Sequence, residues 1–177
     1  DQKRASEQAM EEAEKFRTRP PAGDPVERAR KNEEQFQAEV KRRARATGRP
    51  VEEVEHELAT EVQGHPYRVR EENLPGAPFF RVTQIGGQRA LYLNTAHRFF
   101  TDVYAGPEST PRLRAALELL LFVLGESELD ATADRSLFYQ NERAWWSGRL
   151  MTLLDKLDQI DAKSDLTTLA EQQREDS

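Results

Sequence analysis

The sequence predicts a mainly helical α+β fold: a small three-stranded antiparallel sheet packed on a helical core, with a charged helical arm at the N-terminus. Three observations carry that prediction. Residues 111–124 are the most apolar helical stretch of the chain. There Leu113, Ala116, Leu117, Leu120, Leu121 and Leu124 keep i, i+3, i+4, i+7 spacing while Leu119, Phe122 and Val123 fill much of the other side. A helix apolar nearly all round is buried on most faces, and this one is too short for a membrane span, which needs about 20 apolar residues. Residues 78–85 and 88–94 flank Gly86-Gly87, the pattern of a β-hairpin with a two-residue glycine turn. Finally, the hydrophobic period changes from helical before Gly64 to alternating from Tyr67 onward.

Residues 2–18 read as a charged helix of good helix formers whose apolar positions, Ala5, Ala9, Ala13 and Phe16, are mostly small. The breaker cluster at 19–24 ends it. Asp24 then caps a second helix with Pro25 in its first turn, running to about Thr47 with Gly48 as terminator. A third helix follows Pro50, with Val51, Val54, Leu58 and Val62 on one face, and stops at Gly64-His65-Pro66. Tyr67-Arg-Val-Arg-Glu is the first strand, and the glycine hairpin supplies the other two, the minimum for a stable sheet face. Asn94 or Thr95 caps a short helix through Phe99, Phe100, Val103 and Tyr104, ended by Gly106-Pro107. Ser109 or Thr110 caps the apolar helix, Pro111 enters it and Gly125 closes it. A long helix over residues 136–160 carries Leu137, Phe138, Trp145, Leu150, Leu154, Leu157 and Ile160 at helical spacing, and the polar end of the chain is expected to fray.

Charge and apolar bulk are unevenly spread. Residues 1–64 form the charged arm, 65–161 the α+β core domain and 162–177 a polar tail. The net charge of -6 favours solubility and disfavours non-specific nucleic-acid binding by the whole molecule, while leaving room for a local basic face. With no cysteine there is no disulfide frame, thiolate nucleophile or cysteine-based zinc site, which suits a reducing cytoplasm. No signal peptide or membrane span is read in the sequence. The start, Asp1-Gln-Lys-Arg, is not an initiator sequence and points to a piece of a longer protein.

Few residues are placed for chemistry. His56 stands beside Glu52, Glu53 and Glu57, but a metal site needs three or four convergent ligands with further support. Neither His65 nor His97 is spaced to join it, so no metal and no cofactor is expected. Around Asn94-Thr95-Ala96-His97, local capping by Asn94 or Thr95, with His97 bonding in the first turn, is favoured over acid–base work by His97. Such work would need a nucleophile or carboxylate partner and a pocket. Lys41, Arg42, Arg43, Arg45 and Arg49 are the densest basic cluster. They could contact nucleic-acid phosphates, or simply complement a helix C-terminus and pair with Glu39 or Glu53. The lack of interleaved aromatics favours the second. Of Trp145 and Trp146, one ring belongs in the core and the other in a helix–helix or subunit contact. Gly86-Gly87 lacks the further residues of a phosphate loop and is a turn.

Residues 84–104, with Asn94, His97 and Phe99 after the hairpin and an apolar helix beyond, resemble a segment downstream of the ATP-binding domain in bacterial and phage ATPases. These belong to the Hsp90/gyrase/histidine-kinase/MutL-like (GHKL) superfamily, and the resemblance covers residues 66–124. It implies a middle or C-terminal region that does not bind ATP alone, since neither the Glu-x-x-x-Asn helix nor the Asp-x-Gly-x-Gly loop of that superfamily is present. Its implied role is coupling: holding two protomers together, or contacting a client or DNA. The favoured function is therefore a non-catalytic interaction and dimerisation module of a larger ATPase-type protein, acting through apolar helix faces. Phe36, Val40, Val54 and Leu58 are its expected self-association residues, because thin seams are poorly satisfied within one chain. Two alternatives stand beside it: a nucleic-acid-binding module using residues 41–49, and an enzyme centred on His97.

Overall fold

The computed structural model describes residues 2–177. Five α-helices, three strands and one π-helix follow in the order α1 (Ala5–Glu14), α2 (Pro25–Thr47), α3 (Val51–Gly64), β1 (Tyr67–Glu72), β2 (Phe80–Ile85), β3 (Gln88–Asn94), the π-helix (Phe99–Tyr104), α4 (Pro111–Leu129) and α5 (Ala133–Glu175). Local chemistry sets the boundaries. Asp24 accepts the Val26 N–H at 3.0 Å, and Gly48 closes α2 at φ 68°. Thr110 accepts the Leu113 N–H at 3.1 Å, with Pro111 in the first turn of α4. Each cap supplies a partner for backbone groups that a helix end leaves open.

The chain is mainly helical α+β, and the sheet is mixed, with strand order β1-β3-β2. The glycine hairpin pairs β2 and β3 antiparallel, Val82 opposite Leu91. The first strand instead lies parallel to β3, Val69 opposite Leu91, so the expected all-antiparallel sheet is corrected at this pair. The physical reason lies in β3. Its run Ala90-Leu91-Tyr92-Leu93 is apolar on both faces, as a central strand requires. By taking the open edge of β3 rather than that of β2, β1 makes β3 central. Ala90, Leu91 and Leu93 are fully buried as a result.

Helices cover both faces of this sheet. On one, Tyr67, Val69, Phe80, Val82, Leu91 and Leu93 pack with Leu121 and Phe122 of α4, Met10 of α1 and the aromatic turn Phe99 and Tyr104. On the other, Ile85 and Ala90 pack with Val40, Ala44, Val54 and Leu58, flanked by Phe36, Val62 and Tyr92. Residues 25–64 are thus a covering layer of the sheet and not a free-standing arm. The exposed sheet face would otherwise leave these apolar groups in water, and burying a Val or Leu side chain contributes about 1.5–3 kcal/mol.

Three further boundaries differ from expectation. Gly125 does not close α4, which continues to Leu129. It lies inside the helix where α4 crosses the sheet, and a Cβ there would stand 2.1 Å from Val82 Cγ2. The apolar helix is also not buried all round: Leu121 and Phe122 face the core while Leu113, Leu120, Val123 and Leu124 face outward. And α5 does not fray after residue 160 but stays helical through Glu175.

Buried polar groups fasten α1 and α4 together. Ser6 Oγ donates to Glu118 Oε1 at 2.6 Å, and the Tyr104 hydroxyl donates to Glu118 Oε2 at 2.6 Å. Arg4 Nη1 donates to the Tyr104 oxygen at 3.1 Å. Burial, reinforced by the hydrogen bond to Glu118, pushes the Tyr104 hydroxyl up to about 12. At the other end Arg89 of β3 and Arg17 share Glu126 and Asp130, locking the end of α4 to the sheet.

Candidate functional site

The surface that the fold leaves unpartnered is the outer side of the α4–α5 hairpin. Only residues 130–132 separate the two helices, a connection length typical of antiparallel helix pairs, and the ion pair of Glu128 with Arg143 joins them. Helix geometry places their exposed leucines relative to that pair. Going round α4 from Gly125, which meets the sheet, Glu128 comes next and then Leu124, Leu113 and Leu120, roughly 40–80° beyond it at 3.6 residues per turn. Round α5, Ser147 meets the sheet-side backbone at Phe79 N, 3.1 Å. Arg143 follows, then Leu157 and Leu153 at roughly 40–80° beyond. The order sheet, ion pair, exposed leucine is the same on both helices, so both sets lie on the side of the helix pair turned away from the sheet. Their exposures are large for leucine in a folded chain: Leu120 is 53 % exposed and Leu157 51 %.

An apolar stripe also runs along α5. Phe138, Trp145, Leu153 and Ile160 recur at intervals of seven or eight residues, and Trp145 is 63 % exposed. Trp146 packs on the core instead, so the two adjacent rings divide as the sequence suggested. From Asp155 to the end of α5 every side chain is exposed. Contiguous apolar patches of this kind mark contact sites.

The residues expected to mediate self-association are elsewhere. Val40 and Leu58 are 0 % exposed, Val54 is buried and Phe36 half-buried, all against Ile85 and Ala90 of the sheet. They are corrected from contact residues to core residues, because the thin seams of α2 and α3 find the second sheet face. Sequence inspection did not single out the exposed leucines of α4 and α5, because leucines at helical spacing look the same whether the facing partner is in the chain or absent. No signal in the spacing separates the two cases: Leu150, Leu153, Leu154 and Leu157 keep the i, i+3, i+4, i+7 pattern of a core-facing stripe.

The basic cluster is largely neutralised. Arg42 and Arg43 both donate to Glu39, Arg43 also reaches Glu61 at 2.9 Å, and Arg49 bridges Glu53 and Glu57. The Arg42 hydrogen bonds chiefly hold the Glu39 carboxyl below its ordinary range. Lys41 and Arg45 lie on the exposed side of the same helix end.

His97 serves as a strut. The Phe99 N–H donates to Nδ1 at 3.0 Å, so the proton is on Nε2, which donates to the Ser147 carbonyl at 2.8 Å. A cleft of about 340 Å³ opens beside it, between residues 76–78 and α5. Both ring nitrogens are already engaged, and neither bonds a carboxylate or a hydroxyl among the described residues. Asn94 staples the crossing loop, donating to the carbonyls of Leu74, Ala77 and Pro78 and accepting the N–H groups of Leu74 and Ala96. Thr95 binds the Glu72 carbonyl through its N–H and hydroxyl. Of the expected caps, Asn94 serves Ala96 and His97 serves the π-helix, while Thr95 ends the parallel strand pair. His56 is exposed, and no group of three or more His, Asp or Glu among the described residues is placed to hold a metal ion.

A larger cleft, about 710 Å³, lies between α2, β2 and the start of α5, with Arg28, Thr83, Gln84, Arg89 and Ser136 among its walls. Arg89 is held there by Glu126 and Asp130. No helix among the described residues is long and apolar enough to cross a membrane. No family model, curated protein or solved structure matches the chain.

Proposed function

We propose that this chain is a protein-interaction and dimerisation module that works through the outer face of the α4–α5 hairpin. One observation carries the proposal: Leu113, Leu120 and Leu124 of α4 and Leu153, Leu157 and Ile160 of α5 are exposed large hydrophobic side chains that no other part of the chain covers. The stripe from Phe138 to Ile160 is about 33 Å long at ~1.5 Å per residue. The resemblance of residues 66–124 to GHKL proteins supports a place downstream of an ATP-binding domain, where pairing of two copies couples their nucleotide cycles.

Light scattering tests this directly. The chain is expected at twice the 20.3 kDa mass of a single copy. Leu120→Glu combined with Leu157→Glu is expected to return it to one copy without loss of helical signal. Val26→Glu, at an exposed position on α2, serves as the control and leaves the dimer intact. A single-copy mass at the highest soluble concentration refutes the proposal.

A further inference from the structure

The charges beside the apolar stripe say more about the partner. Resting on the interaction reading just given, we infer that the partner is a second copy, packed parallel and in register along α5. Leu150, Leu153, Leu157 and Ile160 occupy alternating three- and four-residue steps, the a and d positions of a heptad seam. Leu150 is partly covered by the core of its own chain, so the free seam begins at Leu153.

The two flanks of that seam differ in charge. On one side, at the g positions, stand Arg149, Lys156 and Lys163, each seven residues from the next. None of them forms an ion pair among the described residues; Lys156 reaches only Gln159 Oε1, at 3.5 Å. On the other side, at the e positions, stand Leu154 and Asp161, and Asp161 too has no ion pair among the described residues. An antiparallel pairing sets g against g, so the two basic rows would face each other. A parallel pairing sets g against e of the next heptad, which puts Lys156 opposite Asp161 of the second copy and, by symmetry, Asp161 opposite Lys156. Like charges are separated and the one available acidic group is used twice. Flanking charges of this kind set orientation and partner choice in helix pairs.

Absence of cysteine from the chain makes the test clean. Leu153→Cys and Ile160→Cys are prepared as two separate variants and oxidised in dilute solution. In a parallel, in-register pair each cysteine faces its own counterpart across the two-fold axis, within the ~4.4–6.8 Å Cα separation that a disulfide accepts. Both variants are expected to crosslink with themselves. Self-crosslinking of only one or of neither, in protein that light scattering still shows to be a dimer, overturns the parallel arrangement and leaves the interaction reading standing. A single-copy mass before oxidation overturns both. A charge swap adds an independent readout. Lys156→Glu is expected to weaken dimerisation several-fold, and Lys156→Glu with Asp161→Lys to restore it. Failure of the second change to restore what the first removed counts against the pairing.

Discussion

Replacing Gly125 by alanine tests how α4 is seated. Helix propensity alone favours the change, by about 1 kcal/mol for Gly→Ala in a helix interior. Packing opposes it. The added methyl would lie 2.1 Å from Val82 Cγ2, 2.6 Å from its Cβ and 3.2 Å from Cγ1, whereas carbon atoms rest at about 3.5–4.0 Å. Turning the Val82 side chain cannot help, because its Cβ itself is too close and a β-branched residue is stiff about χ1. The helix must therefore move away from β2 by roughly 1.5 Å. Leu121, Phe122 and the Glu118 hydrogen bonds would move with it. Overpacking of this kind costs about 1–3 kcal/mol, and displacement of a whole element puts it at the upper end. Net destabilisation of about 2 kcal/mol is expected once the propensity gain is subtracted. Gly148→Ala is the matched control. Gly148 also lies inside a helix, and nothing stands within 4 Å of the added carbon, so stabilisation by about 0.5–1 kcal/mol is expected. Urea denaturation at one fixed protein concentration reads both, since self-association alters apparent stability. Equal or greater stability for Gly125→Ala would show that α4 does not sit on Val82 as described.

Other consequences are as direct. Leu58→Ala should cost about 2–5 kcal/mol in urea denaturation, as emptied core sites do, while leaving the light-scattering mass unchanged; lost dimerisation in folded protein would return the α2–α3 seam to the interface. Asn94→Ala leaves several backbone groups of loop 73–79 without partners, each costing about 1–3 kcal/mol if buried, and amide exchange in that loop should accelerate far more than in α5. Tyr104 gives a pH prediction. Its folded pKa is raised to about 12, above the ~10 of a free tyrosine, so its contribution is complete below pH ~10 and fades as pH rises toward 12. Stability of the wild type should fall more steeply across that window than that of Tyr104→Phe, by at most about 1.4 kcal/mol per pH unit; parallel curves would mean that the hydroxyl is not held by Glu118.

The sequence made the elements legible wherever the determinant is local. Asp24, Pro25 and Gly48 announce the ends of α2, and Thr110 with Pro111 announces the start of α4, because caps and φ restrictions act within a few residues. The hairpin register followed from Gly86-Gly87 for the same reason. What was not legible depends on which distant group a face meets. The parallel placement of β1 rests on a choice between two sheet edges, which strand alternation cannot distinguish. Gly125 looks like a helix terminator until Val82 is known to lie beneath it. The seam of Val40, Val54 and Leu58 looked unsatisfied because the second face of a three-stranded sheet is hard to foresee from alternating residues such as Ile85 and Ala90.

The same limitation explains the candidate site, and it works in the opposite direction there. An all-round apolar pattern in α4 predicts burial on both sides, yet one chain covers only the side bearing Leu121 and Phe122. Leu113, Leu120, Val123 and Leu124 keep the composition of a core without having one. The exposed leucines of α5 do likewise, beside a basic row that forms no ion pair among the described residues. Sequence pattern reports what a residue is suited to touch, and the fold reports what it touches in a single copy. Where the two disagree on adjacent helices and on the same outward side, the difference is the basis of the interaction face proposed above. The α2–α3 seam, for which pattern and fold agree once the sheet is in place, offers no such difference.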